Sequence, residues 1–213
     1  MARLHNESFE LTFPRLPSEL DGVRILHLSD LHVCAGAAGY LKRVLRAVVQ
    51  CNADLIVLTG DVVNHERDWP RAVDWLMSLP INSSVPRLAV AGNWDLRAGG
   101  GGQCFTRAMR DAGFEPLNNQ GMTIPLRGRG MQVAGFDDIR YGTFHPQAAL
   151  QDLDPDGFLL GLCHNPDIVL YLSPWPFDCM LTGHTHGGQV RLPGARALIT
   201  STLIGVPLSL KHI

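Results

Sequence analysis

The sequence predicts an α/β protein built on two sheets packed face to face, and three observations carry that expectation. Apolar, β-branched runs alternate with amphipathic helical patterns through the first half of the chain. Short strand-like segments separated by turn residues fill the middle, and strands return late. That alternation calls for strands buried between layers with helices outside. The 213 residues are expected to form a single domain, 1–213, long enough to bury a sizeable core.

Residues 8–13 (SFELTF) alternate with period two and read as a first strand, closed by Pro14 and Pro17. Residues 23–28 (VRILHL) form the first strong strand and deliver Asp30 and His32 into the loop that follows. Over 40–51, Leu41, Val44, Leu45, Val48 and Val49 recur at helical spacing and give one core-facing stripe. Residues 55–58 (LIVL) are a buried strand ending at Gly60-Asp61. Residues 70–79 are a second helix, with Pro70 in its first turn and Pro80 ending it. Residues 87–90 are a third strand feeding Gly92-Asn93, and the glycines 99–102 make a loop before a helix around 105–112. Segments 114–117, 122–124 and 131–136 read as β, 146–150 as a short helix, 158–162 as a strand ending at His164, and 166–172 as a helix. Residues 179–181 are the last clear strand, with 189–192 continuing extended.

Composition excludes several classes. The chain is 46% hydrophobic and 18% charged, a globular balance, and a net charge of −2 gives no bulk attraction for nucleic acid or an anionic membrane. No sequence-specific nucleic-acid partner is expected. Five scattered cysteines without a C-x-x-C pair argue against a disulfide framework or a thiolate zinc site, and for a reducing compartment. The first residues lack the apolar core of a signal peptide, and no stretch approaches the roughly 18 apolar residues of a membrane span. A cytoplasmic location is the expectation; the sequence does not specify an oligomeric state.

Five short motifs carry the chemistry: Asp30-Leu31-His32, Gly60-Asp61, Gly92-Asn93-Trp94-Asp95, Cys163-His164-Asn165-Pro166 and Gly183-His184-Thr185-His186-Gly187-Gly188-Gln189. Four of the five follow an apolar run and so fall at the C-terminal edge of a strand, where open α/β sheets build their sites. They offer carboxylate, imidazole and amide donors, a mixture suited to divalent transition metals. A two-metal hydrolytic centre needs a bridging carboxylate and a separate donor set on each side, with ions about 3.5–4 Å apart. Asp61, alone after its glycine, is the expected bridge. Asp30 and His32 are placed to grip one ion together, while His184 and His186 can serve different ions. Asn93 and His164 add an amide oxygen and an imidazole. Each motif alone has an ordinary structural explanation; five in order, four of them at strand ends, favour a functional one.

In these motifs the chain resembles the calcineurin-like metallophosphoesterases over roughly residues 20–192. It is most similar to their small bacterial phosphodiesterase branch, some of whose members cleave the pyrophosphate of UDP-diacylglucosamine. The resemblance implies a four-layer α/β/β/α sandwich with two mixed sheets, and two divalent ions (manganese, iron or zinc). Asp30, His32 and His186 would hold one ion, Asn93, His164 and His184 the other, and Asp61 would bridge them. It further implies in-line attack on phosphorus by a metal-bound hydroxide, on a phosphorylated small molecule or nucleotide sugar.

Two departures stand out. The family usually carries a histidine at position 94, thought to protonate the leaving group; Trp94 cannot transfer a proton. Loss of a general acid costs on the order of 10²–10⁴ in rate, which tilts the expected substrates toward pyrophosphates and activated diesters. Trp94 is also a candidate for stacking on a base or sugar, with plain packing the alternative. The catalytic candidates are therefore Asp61, Asn93, Trp94, Asp95 (placed to orient an imidazole at position 94) and His65 as a replacement acid. The second departure is residues 195–213, short and apolar where the family continues through further strands: either the C-terminal part is trimmed or the chain closes its sheet some other way. His27 reads as a hydrogen-bonded core histidine, Cys34 and Cys163 as packing residues, and Asp137-Asp138 as a solvated turn. A rival assignment is a non-catalytic scaffold of the same fold, which the full donor set disfavours. A zinc hydrolase acting on amides is disfavoured by the asparagine.

Overall fold

The structure, a computed structural model, describes residues 7–172, 175–186, 190–191 and 197–199, the last two stretches as strand backbone only. The first sheet comprises β1 (Ile25–Leu28), β2 (Leu55–Leu58), β3 (Arg87–Ala89) and β4 (Glu115–Pro116) in that order, parallel throughout. Helices α1 (Ala38–Val48), α2 (Trp69–Met77) and α4 (Gly102–Asp111) make its crossovers. The second sheet has β5 (Gln120–Leu126), β6 (Arg129–Gly135), β7 (Leu159–Cys163) and β8 (Cys179–Thr182), also in sequence order. Its β5–β6 pair is an antiparallel hairpin, and β6, β7 and β8 are parallel. Arg127 (φ 48°) and Gly128 (φ 80°) close the hairpin, both in the left-handed region that a tight two-residue turn requires. Helices α5 (Pro146–Leu150) and α6 (Val169–Leu172) accompany this sheet, and β9 (Val190–Arg191) pairs antiparallel with β10 (Ala197–Ile199).

Three apolar clusters order these elements. Leu28, Ile56 and Leu58 pack with Val44, Trp75 and Met109 of the helices. Leu55, Val57 and Leu88 point the other way, onto Ile124, Val133, Leu160 and Leu162 of the second sheet. Beyond that sheet, Ala134 and Leu159 meet Ala149, Ile168 and Leu172. All four β2 residues are buried because both faces are covered, which is why that strand reads as an unbroken apolar run.

Three sequence expectations need correction. Residues 8–13 form no strand: alternation sets two faces but supplies no neighbour to bond with, and most of the segment is exposed. Phe13 instead packs edge-on against Phe158, ring centroids 5.4 Å apart. The first sheet is parallel rather than mixed, since a helix returns the chain before every new strand. A short helix, α3 (Asn93–Arg97), follows β3 in a stretch to which the sequence assigned no element. The expectations for Gly187, Gly188 and Gln189, and for residues 195–213 apart from β10, lie outside the described residues. No helix among the described residues is long and apolar enough to cross a membrane.

Candidate metal centre

Parallel strands bring the chain out at one edge, and all five motifs leave that edge. β1 delivers Asp30 and His32, β2 delivers Asp61, β3 Asn93, β7 His164, and β8 His184 and His186. The loops are bonded to one another: Asp30 N donates to Gly60 O (3.0 Å), His32 N to Asp61 O (3.0 Å) and Gly183 N to His164 O (2.9 Å). The loops after β2 and β3 approach so closely that a Cβ on Gly92 would lie 2.3 Å from Asp61 Oδ1, leaving room for glycine only. Asp30, His32, Asp61, His184 and His186 all have φ between 44° and 69°. Non-glycine residues enter that region rarely, and such positions concentrate at functional sites.

The side chains gather in two groups. Asp30, His32 and His186 place one donor atom each within 4.8 Å of one another, as do Asp61, His164 and His184. Asp61 Oδ2 reaches both, lying 3.9 Å from His32 Nε2 and 3.3 Å from His164 Nε2. In the first group His32 Nε2 and His186 Nε2 face each other at 3.4 Å, the rings stacked 9° from parallel. In the second, His164 Nε2 is 3.2 Å from both Asn93 Oδ1 and His184 Nδ1. The structure thus brings all seven candidate donors together.

Neighbouring groups fix which nitrogens face inward. His32 Nδ1 sits 2.6 Å from Asn64 Oδ1, and His164 Nδ1 donates to Thr59 O at 2.7 Å. Each Nε2 therefore faces the cluster. Asp30 accepts from Ser29 Oγ (2.7 Å) and the His184 amide (3.1 Å to each oxygen). Around His164 Nε2 the partners are a carboxylate oxygen, an amide oxygen and an imidazole nitrogen, so a positive charge must occupy that space. Burial pushes the His164 imidazole down, but the Asp61 hydrogen bond and charge outweigh it and raise it to about 9. Burial likewise pushes Asp61 up, and His164 more than reverses this, holding its carboxyl below the usual range. Burial, then the charge of His164, keep His184 low. A proton on His164 supplies the charge that a divalent cation would supply better, and the carboxylate–imidazole–amide donor set fits such ions.

The remaining candidates fall elsewhere. Trp94 is 37% exposed; its backbone N–H donates to Asp61 Oδ1 (2.9 Å) and Arg97 lies over its ring at 4.9 Å. Asp95 faces away from the cluster's chemistry. Fully buried, it accepts from Val62 N (2.8 Å), Val63 N (3.1 Å) and Gly92 N (2.9 Å), clamping the loops after β2 and β3 together. Burial first, and the Asp61 charge second, lift its pKa to about 7. His65 is exposed, and among the described residues its ring makes no hydrogen bond, so nothing ties it to the cluster. His27, half-buried, meets Thr59 Oγ1 at 2.7 Å as a core histidine should. Asp137 and Asp138 are buried rather than solvated. Their oxygens accept the loop's own amides, from Asp138, Arg140, Tyr141 and Thr143. Asn64 was missed; its signal was a lone amide directly after the apolar pair Val62-Val63.

Comparison with known proteins agrees with this arrangement. The profile of the calcineurin-like phosphoesterases matches residues 23–188. The metallophosphoesterase YkuE of Bacillus subtilis is 31% identical over 87% of this chain and 65% of its own length. The phosphodiesterase YaeI of Escherichia coli is 30% identical over 87% of this chain and 69% of its own. The UDP-2,3-diacylglucosamine pyrophosphatase LpxG of Chlamydia trachomatis is 25% identical, over 89% and 71%. The chain spans 65% and 63% of two Bacillus subtilis relatives, YkuE and YkoQ. Among solved structures, TT1561 of Thermus thermophilus superposes with a TM-score of 0.55 at 16% identity, covering 75% of this chain and 81% of that one, a likeness of fold. With the fold, the ordered motifs and these matches in agreement, the chain belongs to the calcineurin-like phosphoesterase family.

Proposed function

We propose that this chain is a metal-dependent phosphoesterase acting on phosphodiesters or pyrophosphates. The observation that carries the reading is the pair of three-residue donor groups with the Asp61 carboxylate reaching both. Asp30, His32 and His186 would hold one divalent ion, Asn93, His164 and His184 the other, with Asp61 shared. When bound, such ions neutralise phosphoryl charge and make a water acidic enough to attack near neutral pH. The chain's own contribution is alignment: Asn64 and Thr59 hold His32 and His164 in the tautomer that presents Nε2, and the Trp94 amide orients Asp61. The chain places no imidazole at position 94, which favours substrates whose departing oxygen is stable as an anion. Phosphodiesterase and pyrophosphatase relatives support that choice, the free cysteines support a reducing, cytoplasmic setting, and manganese, iron or zinc suits the donors.

The test is a screen of purified protein loaded with each metal against bis(4-nitrophenyl) phosphate, 4-nitrophenyl phosphate and nucleotide-sugar pyrophosphates. Chelator-sensitive hydrolysis of the diester or a pyrophosphate is the expected result. Protein that retains two metal equivalents and hydrolyses none of them would be a scaffold instead.

A further inference from the structure

Beside the metal centre, an open cleft of about 610 Å³ runs between α4 and the loop 137–143. It begins at Leu96, one helical turn beyond Asn93, and at Tyr141, which is joined to Trp94 by a shared cation. The Arg97 guanidinium lies 4.9 Å from the centre of the Trp94 ring and 5.1 Å from that of Tyr141. Along the other wall, Gln103, Thr106, Arg107 and Arg110 form an i, i+3, i+4, i+7 stripe that faces the cleft, while Phe105, Ala108 and Met109 bury the opposite side of α4.

The wall opposite α4 is preorganised. Asp138 Oδ1 accepts the amides of Arg140 and Tyr141, both at 2.9 Å, and Asp137 accepts Thr143 N at 2.8 Å. A Cβ on Gly142 would fall 2.3 Å from the Asp137 carboxyl carbon, so the loop is wound tightly on its own carboxylates. This holds Tyr141 in place at the mouth. On the α4 side, Arg107 pairs with Asp111, which also lines the cleft, at 3.8 Å between exposed side chains. A pair of that kind is worth little and yields readily to a better anion.

We infer that this cleft receives the larger arm of the substrate and that Arg107 and Arg110 bind a second phosphate carried on that arm. The inference rests on the hydrolase reading and narrows it to substrates with two phosphates, of which one is cleaved. Two guanidinium groups one turn apart offer the donors a phosphate takes, and Gln103 and Thr106 offer hydrogen bonds to sugar hydroxyls. Tyr141, sharing the Arg97 guanidinium with Trp94, stands at the Leu96 end of the cleft.

A matched pair of esters tests this: thymidine 5′-(4-nitrophenyl phosphate), and the same ester bearing a 3′-phosphate. The bond cleaved is identical, so the ratio of kcat/KM isolates the second phosphate. The wild type should prefer the 3′-phosphorylated ester by about tenfold, through KM. In Arg107→Gln/Arg110→Gln that ratio should fall to about one. No preference in the wild type, or one that survives in the double variant, overturns the assignment. Failure of the wild type to cleave either ester would count against the hydrolase reading. Calorimetric titration of thymidine 3′,5′-bisphosphate into EDTA-treated protein then decides the cleft alone: binding lost in the double variant supports it, and absent or unaltered binding overturns it.

Discussion

Asp95 is buried without exposure, and its carboxylate accepts three backbone amides from two loops that each carry a candidate metal donor. Replacing it with alanine leaves Val62 N, Val63 N and Gly92 N without acceptors. Each buried, unsatisfied amide costs about 1–3 kcal/mol, so with partial relaxation the loss should be about 3–5 kcal/mol when Asp95 carries its proton. Above neutrality the wild type bears an opposing cost. Its folded carboxyl titrates near 7 because burial and Asp61 disfavour the charge, whereas an unfolded aspartate titrates near 4. Between those values the folded state binds more protons than the unfolded one, so this group's stabilisation is present at low pH and lost as pH rises through 7. At about 1.4 kcal/mol per pH unit, the loss between pH 5 and pH 8 is about 3 kcal/mol. Asp95→Ala should therefore be destabilised by about 3–5 kcal/mol at pH 5 and by only about 0–2 kcal/mol at pH 8. Urea unfolding followed by tryptophan fluorescence, with EDTA throughout, measures both differences. Equal destabilisation at the two pH values, or none at pH 5, would refute the clamp and its burial.

Three further outcomes are expected. Asp61→Asn removes the charge that reaches both donor groups; metal content by mass spectrometry should drop below two equivalents and hydrolysis should fall at least about 10³-fold, and wild-type turnover would rule out the shared carboxylate. Asn64→Ala frees the His32 ring to adopt either tautomer, so metal affinity by competition with a chelating dye should weaken about 10–100-fold while the melting temperature of metal-free protein changes little. Across a series of aryl and alkyl diesters, wild-type rates should depend steeply on leaving-group pKa, and Trp94→His should flatten that slope. A flat wild-type slope would mean that another proton donor serves.

The five motifs were legible because each chemical residue follows an apolar strand, and a parallel sheet turns sequence order into spatial convergence. Asp30, His32, Asp61, Asn93, His164, His184 and His186 could therefore be gathered before any coordinates. What sequence could not show depends on where side chains turn after the motif ends. Asp95 carries the right chemistry for an orienting carboxylate, yet α3 swings it beneath the loop to meet three amides. His65 is close to Asp61 in sequence, but the chain turns outward at Asn64 and leaves it in solvent. Asp137-Asp138 looked like a solvated pair because two adjacent charges seldom enter a core; here four loop amides bond both Asp137 oxygens and Asp138 Oδ1. The alternation at residues 8–13 spoke only of faces, and strand formation also needs an edge to join.

The left-handed backbone at Asp30, His32, Asp61, His184 and His186 sets stability against function in this chain. An L-residue held there loses roughly 1 kcal/mol relative to glycine, and the five together several. Glycine at any of them would be the easier sequence for the fold, and drift toward a more stable chain would erase the centre one donor at a time. Five side chains at such positions thus serve the site at the scaffold's expense. The same cost explains why the loops are so thoroughly cross-bonded: the Asp95 clamp and the amide bonds onto Gly60 and Asp61 oppose relaxation of the strained turns into ordinary ones.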